Sequence, residues 1–375
     1  MKTYDVVIVG GGIIGGAVAF ELAGQKLRVA VLDRQRLMGE ASWAAAGMLS
    51  PAPDSPAAIP LVPLGRASLA LYPKFVEEVE ETSGLQTGYR TGGAIEVITR
   101  GDAERELSTL VAMHHGLGLA CEPLPSDEAL AMEPGLGREA LAAAFLPDEC
   151  SVEPRLLAAA VLRSAALSEV TLCPGVEVAS LALDGQKCLG IKTTSGEMFQ
   201  AGHVVLAAGC WSAQIPEASQ WAPTLPVRGQ MAALRNSGTP VRHVLRSEHG
   251  YIVPRGGATP QTVVVGSTIE NAGYEKRVTS GGIEKILSAA NCLAPELANA
   301  EIAETWCGLR PGTPDQLPIL GTAEIDGLVF ATGHYRNGIL LAPVTAKLVG
   351  EWITEGRTSI GWEAFGPQRF SRTGL

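Results

Sequence analysis

The stretch YDVVIVGGGIIGGAVAFELAGQKLRVAVLD (residues 4–33) constrains the chain more than any other. It reads as a buried strand, a glycine turn, an apolar helix and a second buried strand, which is one βαβ unit of a parallel sheet. Gly10, Gly12 and Gly15 form GxGxxG. The first allows the tight turn, the second lets backbone approach a pyrophosphate, and the third lets helix and strand pack closely. The helix N-terminus then faces the anion. Asp33 closes the second strand, where a carboxylate can accept hydrogen bonds from a ribose. With strand before, helix after and the acid in place, the motif predicts dinucleotide binding.

A nicotinamide enzyme would continue with further βα units to complete its sheet. Here residues 38–51, MGEASWAAAGMLSP, follow instead. Such small residues let backbone amides approach a large flat ligand, although a tightly packed Ala-rich helix is the alternative. The remaining parallel strands lie far along the chain, in HVVLAAG (203–209) and LVFATG (328–333), so the nucleotide-binding domain is expected to be discontinuous. Between them, 92–99, 226–235 and 250–270 alternate and turn like antiparallel strands forming one wall of a substrate cavity. Helices are expected over much of 65–84, 103–118, 154–168 and 281–293, with Pro154 in a first turn. The Pro-rich break at 50–63 is a candidate lid.

Composition narrows the function. The chain has 375 residues, 46 % of them hydrophobic, and a formal net charge of −10. That charge argues against nucleic-acid or anionic-membrane partners, so a bound anion must meet local cations. No apolar run reaches membrane-spanning length, and the first strand begins too near Met1 for a secretory segment; a cytoplasmic location is expected. Self-association is compatible with the sequence. The seven cysteines have no pairing or metal-binding spacing, and adjacent His114 and His115 diverge on a helix, so no metal site is expected.

GxGxxG with its acid, AAAGML, HVVLAAGCWS, YIVPR, GLRPGT and GHYRNGILLAP, in this order, resemble the D-amino-acid oxidase superfamily of flavoproteins and, within it, the glycine oxidases of bacterial thiamine synthesis. The resemblance spans nearly the whole chain. It implies an α/β plus α+β fold: an FAD-binding, Rossmann-like (GR2-type) domain from 1–75, 140–212 and 306–375, and a substrate domain on an antiparallel sheet from 76–139 and 213–305. It places noncovalent FAD against Gly10, Gly12, Ile13, Ile14 and Gly15, Asp33 and Arg34, and Ala41, Ser42, Ala46, Gly47 and Met48. Val176 would meet the adenine side through its backbone, Gly209 would end a sheet strand at the ligand, and His334, Tyr335, Arg336, Asn337, Gly338, Ile339 and Leu340 would border the isoalloxazine and substrate.

Arg310 corresponds to the family's substrate-carboxylate arginine. A guanidinium fork matches a carboxylate bidentately, and Arg336 is expected to make a second contact to the same end. For either arginine alone, a surface ion pair is the alternative. Tyr251 resembles the pocket tyrosine, and His249 is expected on the same strand face. The helix beginning near Gly338, with Pro343 in its first turn, can aim its N-terminal dipole at the flavin pyrimidine. The implied reaction is oxidation of glycine, sarcosine and small D-amino acids to the imine, with dioxygen reduced to hydrogen peroxide and the imine hydrolysed to glyoxylate or used in thiazole synthesis. A D-amino-acid dehydrogenase of the same fold and a flavin-binding subunit of a larger dehydrogenase are the alternatives. Two positions depart from the family. Ile269 stands where the resemblance places a methionine near the pocket, and Gly308, next to Cys307, stands where some sarcosine oxidases link flavin to cysteine.

Overall fold

The computed structural model describes residues 2–138, 140–256 and 260–371. Two large sheets organise them. The first has a parallel centre in which Thr171–Pro174, Val29–Asp33, Lys2–Val9, Met198–Leu206 and Leu328–Thr332 lie side by side, with antiparallel strands added at one edge. Its central strands read VVIV and VAVL because both faces are covered. On one face pack the helices Ile13–Gly24, Val62–Ser83, Pro154–Leu167 and Gly338–Glu355, in a core that includes Ile8, Leu22, Tyr72, Leu157 and Leu341.

The second sheet has the order Glu301–Gly312, Leu225–Asn236, Gln261–Gly266, Gly250–Arg255, Val244–Ser247, Ala94–Ile98, Ala142–Leu146, Glu122–Leu124. It is antiparallel except where Val244–Ser247 runs parallel to Ala94–Ile98. The helix Ser280–Leu293 covers part of one face through Ile286, Ala290 and Leu293.

The four expected helices form as Val62–Ser83, Ala103–Gly116, Pro154–Leu167 and Ser280–Leu293. Two strands fall elsewhere than the sequence division placed them. Ala142–Leu146, expected with the nucleotide-binding segments, pairs with Ala94–Ile98 in the second sheet, and Glu301–Gly312 remains in that sheet throughout. Neither sequence, AAAFL or EIAETWCGLRPG, singles out one sheet, and only the partner strand decides.

Pro343 is not in the first turn of its helix, since the helix starts at Gly338. As the sixth residue it leaves the carbonyl of Ile339 without its amide. The hydroxyl of Tyr72 supplies the missing donor at 2.9 Å. Beside it, the hydroxyl of Ser68 donates to the carbonyl of Leu340 at 2.5 Å and accepts from Val344 N at 3.3 Å. Both side chains are fully buried, so the proline is built into the core by the neighbouring helix.

The Pro-rich break forms the short 3₁₀ turn Pro56–Leu61 and runs straight into the helix Val62–Ser83. Ser50 bonds Glu149 at 2.5 Å and Ser55 bonds Gln316 at 3.2 Å.

Candidate active site

A cleft of about 430 Å³ opens at the carboxyl ends of the parallel strands, with the second sheet as its opposite wall. Val9, Asp33, Ala207 and Thr332 mark those strand ends; Gly229, Met231, Tyr251 and Arg310 come from the wall. Ligands of open α/β sheets sit in this place.

Of the residues singled out in the sequence, Gly10, Gly12, Ile13, Ile14, Asp33, Arg34, Ala41, Ser42, Ala46, Gly47, Met48, Val176, Gly209, Tyr251, Arg310, His334, Tyr335, Arg336, Gly338 and Ile339 all line this cleft. Gly15, Asn337 and Leu340 do not. A Cβ on Gly15 would overlap the carbonyl oxygen of Gly10, so this glycine serves helix–strand packing. Leu340 is 2 % exposed and turns into the helical core, and Asn337 is the N-cap residue, its carbonyl accepting from Leu341 N at 2.8 Å.

The nucleotide end is built from backbone. Gly10 has φ +107, and a Cβ there would overlap the carbonyl of Ala207, so the turn requires glycine. Asp33 holds the turn closed, its Oδ2 accepting from Gly11 N at 2.9 Å and its Oδ1 from Gln35 N at 2.9 Å. Ser42 Oγ accepts from Ile13 N at 2.9 Å, placing a hydroxyl from the small-residue loop against the helix N-terminus. Gly12, the N-cap residue, offers no side chain there. Val176 N is taken by the carbonyl of Asp33 at 2.8 Å, which leaves Val176 its carbonyl for a ligand. Arg34 stacks over Trp211, 4.0 Å from the ring centroid, and Trp211 meets Tyr274, whose hydroxyl bonds the carbonyl of Cys210 at 2.8 Å.

The small-residue loop contains only a four-residue helix, Ala41–Ala44, before the strand Met48–Leu49, so it is not an Ala-rich helix. Its carbonyls are held from outside: Trp306 Nε1 donates to Ala44 at 3.1 Å, and Arg255 donates to Ala46. Arg155 lies over Trp43 at 3.6 Å and pairs with Glu304 at 2.8 Å. These clamps come from distant segments and carry no local signal.

At the other end stand Arg310, Tyr251, His334 and the N-terminus of Gly338–Glu355. Arg310 is half-buried and has no ion pair among the described residues; Nη1 donates to the carbonyl of Thr268 at 3.1 Å and Nη2 to Ser267 Oγ at 2.8 Å. Burial, and then the nearby charge of Arg336, draw its pKa down, so an anion in the cleft would be welcome to it. Gly229 makes the room: a Cβ there would overlap the guanidinium. Arg336 is different, since it is paired with Asp54 of the Pro-rich segment at 3.2 Å. Tyr251 is 8 % exposed with its hydroxyl 3.7 Å from Met231 Sδ. His249, expected beside it, lies in the turn before Gly250–Arg255, and Ile269 points outward at 59 % exposure.

His334 is buried, and burial pushes its pKa down to about 3, so it is a neutral imidazole whose Nε2 meets Thr345 Oγ1 at 3.1 Å. The helix Gly338–Glu355 has no side-chain cap at its N-terminus, and Gly338 and Ile339 face the cleft there. Its positive dipole end is thus available to a polar or anionic group. Among the described residues no three His, Cys, Asp or Glu side chains gather as a metal site.

The cleft therefore offers a helix N-terminus and glycine cradle at one end and an anion-seeking arginine beside a second helix N-terminus at the other. This fits a dinucleotide extended across the sheet with an anionic substrate at its far end. Comparison with known proteins agrees. The chain is 36 % identical to the glycine oxidase of Geobacillus kaustophilus over 366 residues, which is 96 % of each chain. It is 37 % identical to the bifunctional protein ThiO/ThiG of Synechocystis, covering 99 % of this chain but only 55 % of that longer one. The crystal structure of the Geobacillus kaustophilus glycine oxidase superposes with a TM-score of 0.92 at 34 % identity, over 98 % of this chain and 99 % of the other. Residues 5–352 match the model of the FAD dependent oxidoreductase family, and the chain belongs to that family.

Proposed function

We propose that the chain is an amino-acid oxidase that oxidises glycine and also sarcosine and small D-amino acids. The observation that carries the reading is Arg310: a half-buried guanidinium in an FAD-dependent oxidoreductase's cleft, with no carboxylate partner among the described residues. An α-carboxylate is the partner it lacks. The glycine oxidase relatives support the choice of substrate.

Bound FAD supplies the two-electron oxidation of the substrate Cα–N bond, and dioxygen takes the electrons as hydrogen peroxide. The protein's part is alignment. Arg310 fixes the carboxylate, each terminal nitrogen using one N–H on the 267–268 turn and keeping a second for the substrate. Tyr251 limits the space beside the carboxylate and brings a hydroxyl to it. His334, neutral and held by Thr345, shapes the wall without titrating near neutral pH. Asp33, Ser42 and the Gly10–Gly12 turn hold the nucleotide, and Gly338 and Ile339 present amides towards the ring system.

FAD is held noncovalently in this reading. Cys307 lies outside the cleft lining, and a side chain at Gly308 would overlap Ala44. Acid precipitation should release all the yellow colour. The first sheet carries the cofactor and the second the substrate wall, and the imine product would feed thiazole synthesis, the use that the resemblance to the glycine oxidases of bacterial thiamine synthesis implies.

The test is a peroxide-coupled screen of glycine, sarcosine, D-alanine and D-proline against their L counterparts and glycinamide. Glycine should far exceed glycinamide. Equal rates would sink the carboxylate reading, and reduction of a dye with no oxygen consumption would point to a dehydrogenase instead.

A further inference from the structure

The groups that grip Arg310 belong to a turn that does not stand by itself. Ser267 and Thr268 follow the strand Gln261–Gly266, and their oxygens accept from the two terminal nitrogens of Arg310. Two residues on, Glu270 pairs its main chain with Arg228, N to O at 3.0 Å and O to N at 2.9 Å. Its carboxylate is then surrounded by donors. Oε2 accepts from Arg228 Nε at 3.0 Å and Nη2 at 2.5 Å, while Oε1 accepts from Gln230 Nε2 at 2.7 Å and from the hydroxyl of Thr268. That hydroxyl in turn accepts from Gln230 N at 2.9 Å. Gln230 is held at its far side by Thr279, whose N–H donates to Oε1 at 2.7 Å.

We propose that Glu270 is a positioning residue for substrate binding: by tying Thr268 to the buried Arg228 and Gln230, it fixes the turn that orients Arg310 towards the substrate carboxylate. The proposal rests on the carboxylate reading of Arg310. Glu270, Arg228 and Gln230 do not line the cleft, so they act on the substrate only through Arg310. Arg228 and Gln230 are 6 % and 1 % exposed, and a buried donor set of this kind leaves a carboxylate little choice of geometry. Arg228 needs Glu270, because its other acid, Glu275, is 3.7 Å away and half-exposed. An amide in place of the carboxylate turns one acceptor oxygen into a donor facing other donors, so the turn must shift and the fork of Arg310 with it. Hydrogen-bond misplacement at a bidentate site costs binding directly.

The experiment compares Glu270→Gln with the parent in the FAD-loaded enzyme. Calorimetric titration with glycolate reads carboxylate binding without turnover, and steady-state kinetics with glycine separates KM from kcat. Glu270→Gln should raise the glycolate Kd and the glycine KM together, about tenfold, with kcat within about threefold. Glu270→Asp, which keeps the charge, should recover part of the loss. In an Arg310→Ala background Glu270→Gln should change neither quantity further, which a general structural weakening would not reproduce. Should Glu270→Gln fail to fold with FAD, Thr268→Val, which removes only the hydroxyl link, should give the same paired rise at smaller size. An unchanged glycolate Kd in the variant, or an equal loss in the Arg310→Ala background, overturns the proposal. A parent that binds no glycolate is a separate result: it overturns the carboxylate reading and this proposal with it.

Discussion

Asp54 Oδ2 lies 3.2 Å from Arg336 Nη1, so the arginine expected to reach for substrate already holds an acid from the Pro-rich segment. Asp54 is exposed and Arg336 borders the cleft. A substrate carboxylate arriving at Arg310 would sense the Arg336 charge only after Asp54 has partly neutralised it. Such exposed pairs are worth about 0–1 kcal/mol. Asp54→Asn should therefore lower the glycine KM by a few-fold at low salt, with the difference shrinking in high salt. A KM unchanged at all ionic strengths would mean that Arg336 takes no part in binding.

Arg310→Ala tests the main clamp. Losing a charge-assisted bidentate contact should cost on the order of 3 kcal/mol, at least a hundredfold in kcat/KM for glycine. Arg310→Lys should recover only part, because an ammonium lacks the planar fork. Turnover of glycinamide, already low, should hardly change. If the alanine variant retains both glycine turnover and inhibition by acetate, the substrate carboxylate lies elsewhere.

Tyr72→Phe should destabilise the protein. The phenol is the donor to the Ile339 carbonyl that Pro343 leaves unpaired, in a fully buried position. An unsatisfied buried carbonyl costs about 1–3 kcal/mol. Urea unfolding followed by tryptophan fluorescence should show that loss, whereas Tyr89→Phe, whose hydroxyl meets the weak acceptor Cys150 Sγ at 3.5 Å, should lose less.

The Tyr72 contact also shows where sequence reading stops. The glycine turn and Asp33 were legible because they sit in a short pattern whose local geometry implies their place at the strand ends, whereas the arginines of GLRPGT and GHYRNGILLAP were picked out by resemblance, and both line the cleft. The partner of Ile339 is 267 residues away, and no periodicity joins a tyrosine in one helix to a proline in another. Asp54 and Arg336 are likewise brought together only by packing. Glu270 could have been noticed as an acid near Ile269, but its donors Arg228 and Gln230 come from another strand, whose pairing the sequence does not specify. No strand was expected at Ala142–Leu146, whose all-apolar AAAFL suits either sheet, so it went with the nucleotide-binding segments and only its pairing with Ala94–Ile98 places it.

His334 gives a pH dependence. Burial holds its folded-state pKa at about 3, below the ordinary 6.5, so the unfolded chain binds a proton that the folded one refuses. Stability from this group is constant above about pH 6.5 and falls as pH drops towards about 3. At pH 5 the loss is on the order of 2 kcal/mol. His334→Asn should remove much of the fall in Tm between pH 7 and pH 5, even if it lowers Tm at pH 7. A variant that loses as much Tm as the parent over that interval would show that other groups govern acid sensitivity.

Gly229 is the closest test of whether the wall or the loop sets the aim of Arg310. It faces the cleft from the strand Leu225–Asn236, and the guanidinium lies across it so closely that a Cβ would overlap the central carbon and both terminal nitrogens. The obstructing atoms are the end of a flexible side chain, so the fold can accept Gly229→Ala by moving Arg310 rather than backbone. The strand already pairs on both sides, and alanine is compatible with it. Tm should thus change little. The displaced fork, however, would have to give up Thr268 or Ser267 or meet the substrate at a new angle. A misplacement of about 1 Å at a positioning group costs about a hundredfold. We expect kcat/KM for glycine to fall by one to two orders of magnitude, with FAD content unchanged and acetate inhibition weakened in parallel. If Gly229→Ala binds acetate and turns over glycine as the parent does, then Arg310 reaches the carboxylate from a position that this wall does not control.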